Sequence, residues 1–221
     1  MFRKRIVKPT ILTLAIALGF VVQSRSAEAA ETEVLTVAGG CFWCVEADFE
    51  SVRGVKEAVS GFAGGRTKNP TYKQVTGGNT GHYEAVQITF DPSVVSRDTL
   101  LDLFFRSIDP TDAGGQFCDR GESYRTAIFA GTAAQKAAAE EAKAEAQAAL
   151  GTEVVTPILG DAPFYPAESY HQDYYKSSDR LAFSSVGLGV KKSVAYKRYR
   201  EGCGRDARVK QLWGSDAPFV N

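Results

Sequence analysis

Methionine is almost missing from this sequence. Among 221 residues only Met1 is one, so a chain trimmed at its N-terminus contains none. An excess charge of either sign is missing as well. The 26 Lys and Arg balance 26 Asp and Glu, which gives no support to a nucleic acid or an anionic membrane as partner. Four cysteines are too few and too widely spaced for a disulfide-stapled mini-fold, and suit a redox role or a few bridges. No internal repeat and no Pro- or Ser-rich linker divides the chain, so one α+β domain is the economical reading. The apolar run from Thr10 to Val22 falls short of the roughly 20 residues of a bilayer-spanning helix.

That run instead completes a secretory pattern. Arg3, Lys4, Arg5 and Lys8 form a basic head, and Ala27-Glu28-Ala29 supplies small residues for cleavage. Residues 1–29 are read as a signal peptide, with an uncleaved anchor as the alternative. The mature protein is then exported, periplasmic or secreted, in a compartment that permits disulfides. No stable membrane association is expected after cleavage, and a monomer is expected.

What is present centres on Val34 to Glu46, an apolar strand, a Gly-Gly turn and a helix opening at or beside Cys41. Val45, Phe49 and Val52 repeat at helical spacing. A thiol at that junction faces unpaired backbone N–H groups and the positive end of the helix dipole, which favour a nucleophilic thiolate. Phe42 and Trp43 place apolar rings beside the sulfur, a setting for a small apolar group such as a methyl. A buried core cysteine is the plain alternative. Cys44 completes a Cys-x-x-Cys pattern.

Further along, Val55 to Ala63 and Glu84 to Phe90 read as strands, and Ser96 caps a helix through Ile108. Tyr124 to Ala130 is another strand. Thr132 and Gln135 form a capping-box pattern for an Ala-, Glu- and Lys-rich helix closed by Gly151. Glu153 to Leu159 is predicted as a strand, and Pro166 to Tyr175 as a short helix carrying His171. The Gly-, Arg- and Lys-rich tail beyond Tyr199 carries Cys203 on backbone flexible enough to travel. Two loops hold polar groups: Gly64 to Gly81, with Tyr72 and Val75, and Thr111 to Glu122, with Cys118 and Asp119.

Four motifs occur in order: Gly-Cys-Phe-Trp-Cys-Val-Glu at 40–46, Asn-Pro-Thr-Tyr at 69–72, Gly-His-Tyr-Glu at 81–84 and Asp-Arg-Gly-Glu-Ser-Tyr-Arg at 119–125. In register over nearly the whole mature chain, 30–221, they resemble the peptide methionine sulfoxide reductase A family. The resemblance implies a two-layer α/β sandwich with a mixed, ferredoxin-like sheet. It implies reduction of methionine-S-sulfoxide, free and peptide-bound, without metal or organic cofactor. By the same resemblance Cys41 is the nucleophile, Phe42 and Trp43 hold the methyl group, and Glu84 protonates the sulfoxide oxygen. Tyr72 and Tyr124 hydrogen-bond that oxygen, beside Asp119. The resulting sulfenic acid condenses with a second cysteine, and thioredoxin or a similar dithiol reduces the disulfide. Family resolving cysteines commonly lie in such a tail, which favours Cys203; Cys44, one helical turn from Cys41, stays open as the alternative. Cys118 and His171 have no assigned role.

Elementary chemistry agrees with the scheme. A sulfoxide is attacked slowly by a thiolate unless its oxygen is protonated, so Glu84 needs a pKa raised by burial. Two rival readings start from Cys41 and Cys44. A thioredoxin-like thiol–disulfide oxidoreductase would leave Tyr72, Glu84 and Asp119 unexplained, and its motif begins too near the mature start. A structural zinc module lacks a second ligand pair at matching spacing. The scarcity of methionine would spare a sulfoxide reductase the damage it repairs.

Overall fold

A period of two along each strand puts alternate residues on opposite faces, and two clusters in the protein follow that rule. The computed structural model describes residues 31–184 and 187–220; the expected signal peptide lies outside them. β1 (Glu33–Gly39) runs antiparallel to β3 (Tyr83–Phe90) on one side and to β6 (Thr126–Phe129) on the other. β2 (Val55–Ala63) pairs antiparallel with β3. Two-residue edge strands complete a six-stranded mixed sheet: β7 (Ile158–Leu159), parallel to β6, and β8 (Tyr165–Pro166), antiparallel to β2.

One face carries the large side chains. Leu35, Val37, Val86, Ile88 and Phe90 pack beneath Phe42, Val45 and Phe49 of α1 (Phe42–Glu50) and Leu100, Leu101, Phe104 and Phe105 of α3 (Arg97–Arg106). The other face is built from Ala38, Ala63, Ala85 and Ala127, with Tyr83, Phe129 and Phe164 against it. This matches the α+β sandwich expected. Glu84 shares the parity of Val86, Ile88 and Phe90. Strand register therefore points a carboxyl group toward the helical layer.

The predicted caps are present. Ser96 accepts from the Thr99 N–H, and Thr132 and Gln135 form a reciprocal capping box at the start of α4 (Ala133–Leu150). Gly151 ends α4 with φ 64°. The Gly64–Gly81 loop contains a further short helix, α2 (Tyr72–Thr76), and the Thr111–Glu122 loop a small hairpin, β4 (Gly115–Gln116) with β5 (Asp119–Arg120).

Three expectations differ from the structure. Of Glu153–Leu159 only Ile158 and Leu159 are strand; Pro157 has no N–H to give a ladder, and the Val155 N–H is spent on the Pro110 carbonyl. Pro166–Tyr175 forms one 3₁₀ turn at Ser169–His171 rather than a longer helix. The Gln172 side chain bonds both backbone groups of Ser60, and the Glu46 carboxylate takes the Asp173 N–H, which hold the segment against β2 and α1. The tail is not loose. α5 (Lys192–Gly202) and α6 (Arg205–Trp213) meet at Cys203 and Gly204. Buried arginines fasten them: Arg200 pairs with Asp48 at 2.6 Å, and Arg205 donates to the carbonyls of Gly39 and Ser107.

Candidate active site

Cys41 is the N-cap residue of α1, and its side chain caps nothing. Its carbonyl accepts the first turn's bonds from Cys44 and Val45. Gly40 before it has φ 81°, and a Cβ there would lie 2.5 Å from the Gln116 side chain. Gln116 cannot yield easily, because it bonds the N–H and carbonyl of Asp109. Only glycine fits this turn.

The Phe42 N–H, at the head of α1, donates to Glu84 Oε2 at 3.1 Å. Glu84 is 1% exposed, and its other oxygen, Oε1, has no partner. Burial pushes its pKa up to about 8, against the opposing Phe42 N–H and with help from Asp119 and Cys44. At neutral pH Glu84 is therefore an acid with a proton to give. Tyr72 and Tyr124 are both raised, first by burial and next by the nearby Glu84 charge. Their phenols remain O–H donors. Asp119 is also raised by burial, and it accepts from the Tyr199 hydroxyl.

The thiols behave differently from the sequence expectation. Burial raises Cys41 well above the ordinary thiol range, and Cys44 and Glu84 raise it further. The helix N-terminus does not overcome that desolvation. Cys44 is lowered, first by hydrogen bonding with Cys41 and then by the positive charges of Arg205 and Arg200. The two thiols are free, 5% and 2% exposed, in one cluster with Tyr174 and Tyr196.

Around them stands an aromatic wall. Trp43 stacks on Tyr174 with centroids 3.9 Å apart and planes 9° apart, and meets Tyr199 edge-on. His171 packs on Phe42, Trp43 and Tyr72. Burial lowers the His171 pKa to about 4, and neither ring nitrogen has a partner. It is a neutral ring in the wall rather than a base.

Cys203 is in a disulfide with Cys118, 85 residues earlier, with Cα atoms 4.9 Å apart. The bond joins the β4–β5 hairpin to the end of α5. The Tyr199–Asp119 hydrogen bond joins the same two elements one helical turn earlier. Cys118, without a role from sequence, thus gains a partner. Tyr174, Tyr199, Arg205 and Glu46 are further residues that sequence reasoning left out of the site. Glu46 had a visible signal, lying two residues beyond Cys44, yet its contacts with Ser60 and Asp173 are set only by the fold.

Among the described residues, groups of three possible metal ligands lie at Cys118–Asp119–Cys203 and at Glu46–Glu50–Asp173. Neither includes Cys41 or Cys44, and Lys176 already pairs with Glu50 and Asp173. A groove of about 870 Å³ runs between Ala47, Asp48, Arg200 and the C-terminal Pro218–Val220. It borders the back of α1 and has no contact with Cys41 or Glu84, so its size does not mark the chemistry.

The chain is similar to known proteins. The chain is 45% identical over 207 residues to "Peptide methionine sulfoxide reductase MsrA 2" of Rhizobium meliloti, covering 92% of this chain and 96% of that one. It is 47% identical to the protein of the same name from Caulobacter vibrioides, covering 92% and 97%. Among solved structures it resembles methionine sulfoxide reductase A of Corynebacterium diphtheriae, with a TM-score of 0.61 and 30% identity over 74% of this chain and 84% of that one. Reduced Mxr1 from Saccharomyces cerevisiae gives a TM-score of 0.62 and 32% identity, covering 66% and 84%. The family model described as peptide methionine sulfoxide reductase matches residues 33–202, which include Cys41, Cys44, Glu84, Cys118, Tyr72 and Tyr124 and stop one residue before Cys203. With a buried acid set against a cysteine at a helix head and that match over most of its length, the chain belongs to the peptide methionine sulfoxide reductase family.

Proposed function

We propose that this protein reduces methionine-S-sulfoxide, in polypeptides and free, to methionine at Cys41. The observation that carries the reading is Glu84, a buried protonated acid with one oxygen unpartnered, bonded to the residue after Cys41. The methyl group lies against Phe42 and Trp43. Glu84 gives its proton to the sulfoxide oxygen, while Tyr72 and Tyr124 donate hydrogen bonds to that oxygen. The Cys41 proton passes to the Cys44 sulfur beside it, and Cys41 attacks the substrate sulfur. The sulfur–oxygen bond breaks, methionine leaves, and the oxygen remains on Cys41 as a sulfenic acid.

Cys44 then displaces that oxygen as water and forms a Cys41–Cys44 disulfide. Its position one helical turn away and its lowered pKa support this assignment. Cys203 has no free thiol in this state, and it would serve only after its bond to Cys118 is reduced. A thioredoxin-like dithiol restores both thiols, itself becoming a disulfide. In total one sulfoxide and two thiols give methionine, a disulfide and water. The basic and apolar leader and the Cys118–Cys203 bond support export to an oxidising compartment.

The test is turnover of racemic N-acetyl methionine sulfoxide with dithiothreitol, resolved on a chiral column. Loss of the S epimer alone, abolished in Cys41→Ser, is the expected result. Consumption of neither epimer would reject the reading. Catalysed insulin reduction would then be measured for the thioredoxin-like alternative, against which the burial of both thiols already weighs.

A further inference from the structure

Phe183 and Leu188 are the most exposed large apolar side chains among the described residues, at 82% and 73%. They are register partners across a short hairpin, β9 (Phe183–Ser184) with β10 (Gly187–Leu188). Directly opposed residues project from the same face, so the two form one apolar knob. An exposed apolar pair of this kind marks a contact surface more often than a lone side chain does.

The hairpin is rooted at the candidate active site. Its stem continues through the Leu181 N–H bond to the Val190 carbonyl at 2.9 Å and the Arg180–Lys191 bridge. Leu181 packs against the cluster of Cys41, Cys44, Tyr174 and Tyr196. Lys192, just past the stem, donates to the Tyr170 carbonyl and lies over the Tyr174 ring. Tyr174 is the ring stacked on Trp43, and the half-exposed Tyr170 packs on His171. An apolar track thus runs from the wall around Cys41 through Tyr170, Tyr174 and Leu181 to the knob.

We propose that the hairpin docks the polypeptide that carries the sulfoxide, receiving apolar side chains a few residues from the oxidised methionine. The proposal rests on protein-bound methionine sulfoxide being a substrate of the site. When such a side chain enters between the rings, the chain on either side must cross the rim. From Leu181, which packs on that cluster, to Phe183 is two residues, at most about 7 Å of extended chain. An extended substrate covers that in two or three residues of its own. Methionine is most often found in protein interiors, so its sequence neighbours are commonly apolar once a damaged protein opens.

The full chain and a Phe183→Ser/Leu188→Ser double variant would be compared with dithiothreitol as reductant. The substrates are N-acetyl methionine-S-sulfoxide, a short unstructured peptide with Leu and Phe two and three residues from its methionine-S-sulfoxide, and the same peptide with Ser there. The native chain is expected to favour the apolar peptide over the Ser peptide by roughly fivefold or more in KM. The variant treats the two alike, and N-acetyl turnover is the same in both proteins. Equal KM values in the native chain, or a preference surviving in the variant, would overturn the proposal. So would a change of oligomeric state in the variant with peptide KM unmoved, which would assign the knob to self-association. If the native chain turned over no sulfoxide at all, the catalytic reading would fall first. Docking would then be judged by anisotropy of the labelled apolar peptide, which must weaken in the double variant for the hairpin to stand.

Discussion

Glu84 and Phe42 are tied by one hydrogen bond of 3.1 Å, from the backbone N–H at the head of α1 to Oε2. Because Phe42 follows Cys41 directly, the bond fixes the acid relative to the sulfur. In the proposed mechanism these two groups act on opposite ends of one sulfur–oxygen bond, and the backbone bond preorganises them for it.

In the proposed mechanism Glu84 acts in its protonated form, and burial raises its folded pKa to about 8. kcat/KM for N-acetyl methionine-S-sulfoxide should therefore fall as pH rises through 8. Glu84→Gln keeps an acceptor for the Phe42 N–H but has no proton to release. It should lose about 10²-fold in kcat, and the loss of rate above pH 8 should vanish with it. An unchanged alkaline limb in the variant would assign that limb elsewhere.

In the proposed mechanism Tyr72 and Tyr124 share one task, donation to a developing oxyanion. Tyr72→Phe or Tyr124→Phe alone should lower kcat about tenfold, because one donor remains. Both changes together should cost roughly 10³-fold, with KM nearly constant. A double variant no worse than either single one would show that only one phenol reaches the oxygen.

Cys44→Ser should still complete one turnover without reductant, leaving a single added oxygen on Cys41. Intact-mass measurement and a sulfenic-acid probe read this directly. The native chain should instead lose two hydrogens and resist the probe. Cys118→Ser/Cys203→Ser should behave as the native chain does in this assay. A trapped sulfenic acid in that double variant would transfer the resolving role to Cys203.

Glu46 links pH to stability. Its folded pKa is raised from 4.5 to about 7, chiefly by burial. Below pH 4.5 both folded and unfolded chains hold the proton. Between 4.5 and 7 the unfolded chain releases it and the folded chain does not, so stability falls as pH rises. The loss is on the order of 3 kcal/mol and levels off above pH 7. Glu46→Gln should flatten this decline in urea midpoints taken at pH 4.5 and 7.5. Two other groups act in the same window: Glu84 titrates with the same sign up to about 8, and His171, lowered from 6.5 to about 4, contributes with the opposite sign between those values, so the readout is the difference between native chain and variant.

Local features were legible before the fold was known. Thr132 with Gln135, Ser96, Gly151 and the bounds of β2 depend on residues a few positions apart, and each was found where the chain placed it. Cys41, Phe42, Trp43, Tyr72, Glu84, Asp119 and Tyr124 could be gathered because their motifs occur in order; the fold brings them around one helix head. What could not be read depends on contacts between distant segments. The pairing of Cys118 with Cys203 spans 85 residues. Arg200 and Arg205 fall in or beside the tail read as flexible, and their burial is made tolerable by distant partners, among them Asp48 and the carbonyls of Gly39 and Ser107. The pKa of Cys41 went the other way from expectation because the sequence shows the helix head but not the rings that exclude water from it.

The Cys118–Cys203 bond also makes part of the molecule a covalent ring. β6, α4, the two edge strands, the knob hairpin and α5 all lie inside it. One cut anywhere between those cysteines yields no free fragment while the bond lasts. A protease that nicks the exposed hairpin should leave a single band on a gel without reductant and two bands with it. Damage in the hairpin proposed to meet the substrate would then leave the pieces joined.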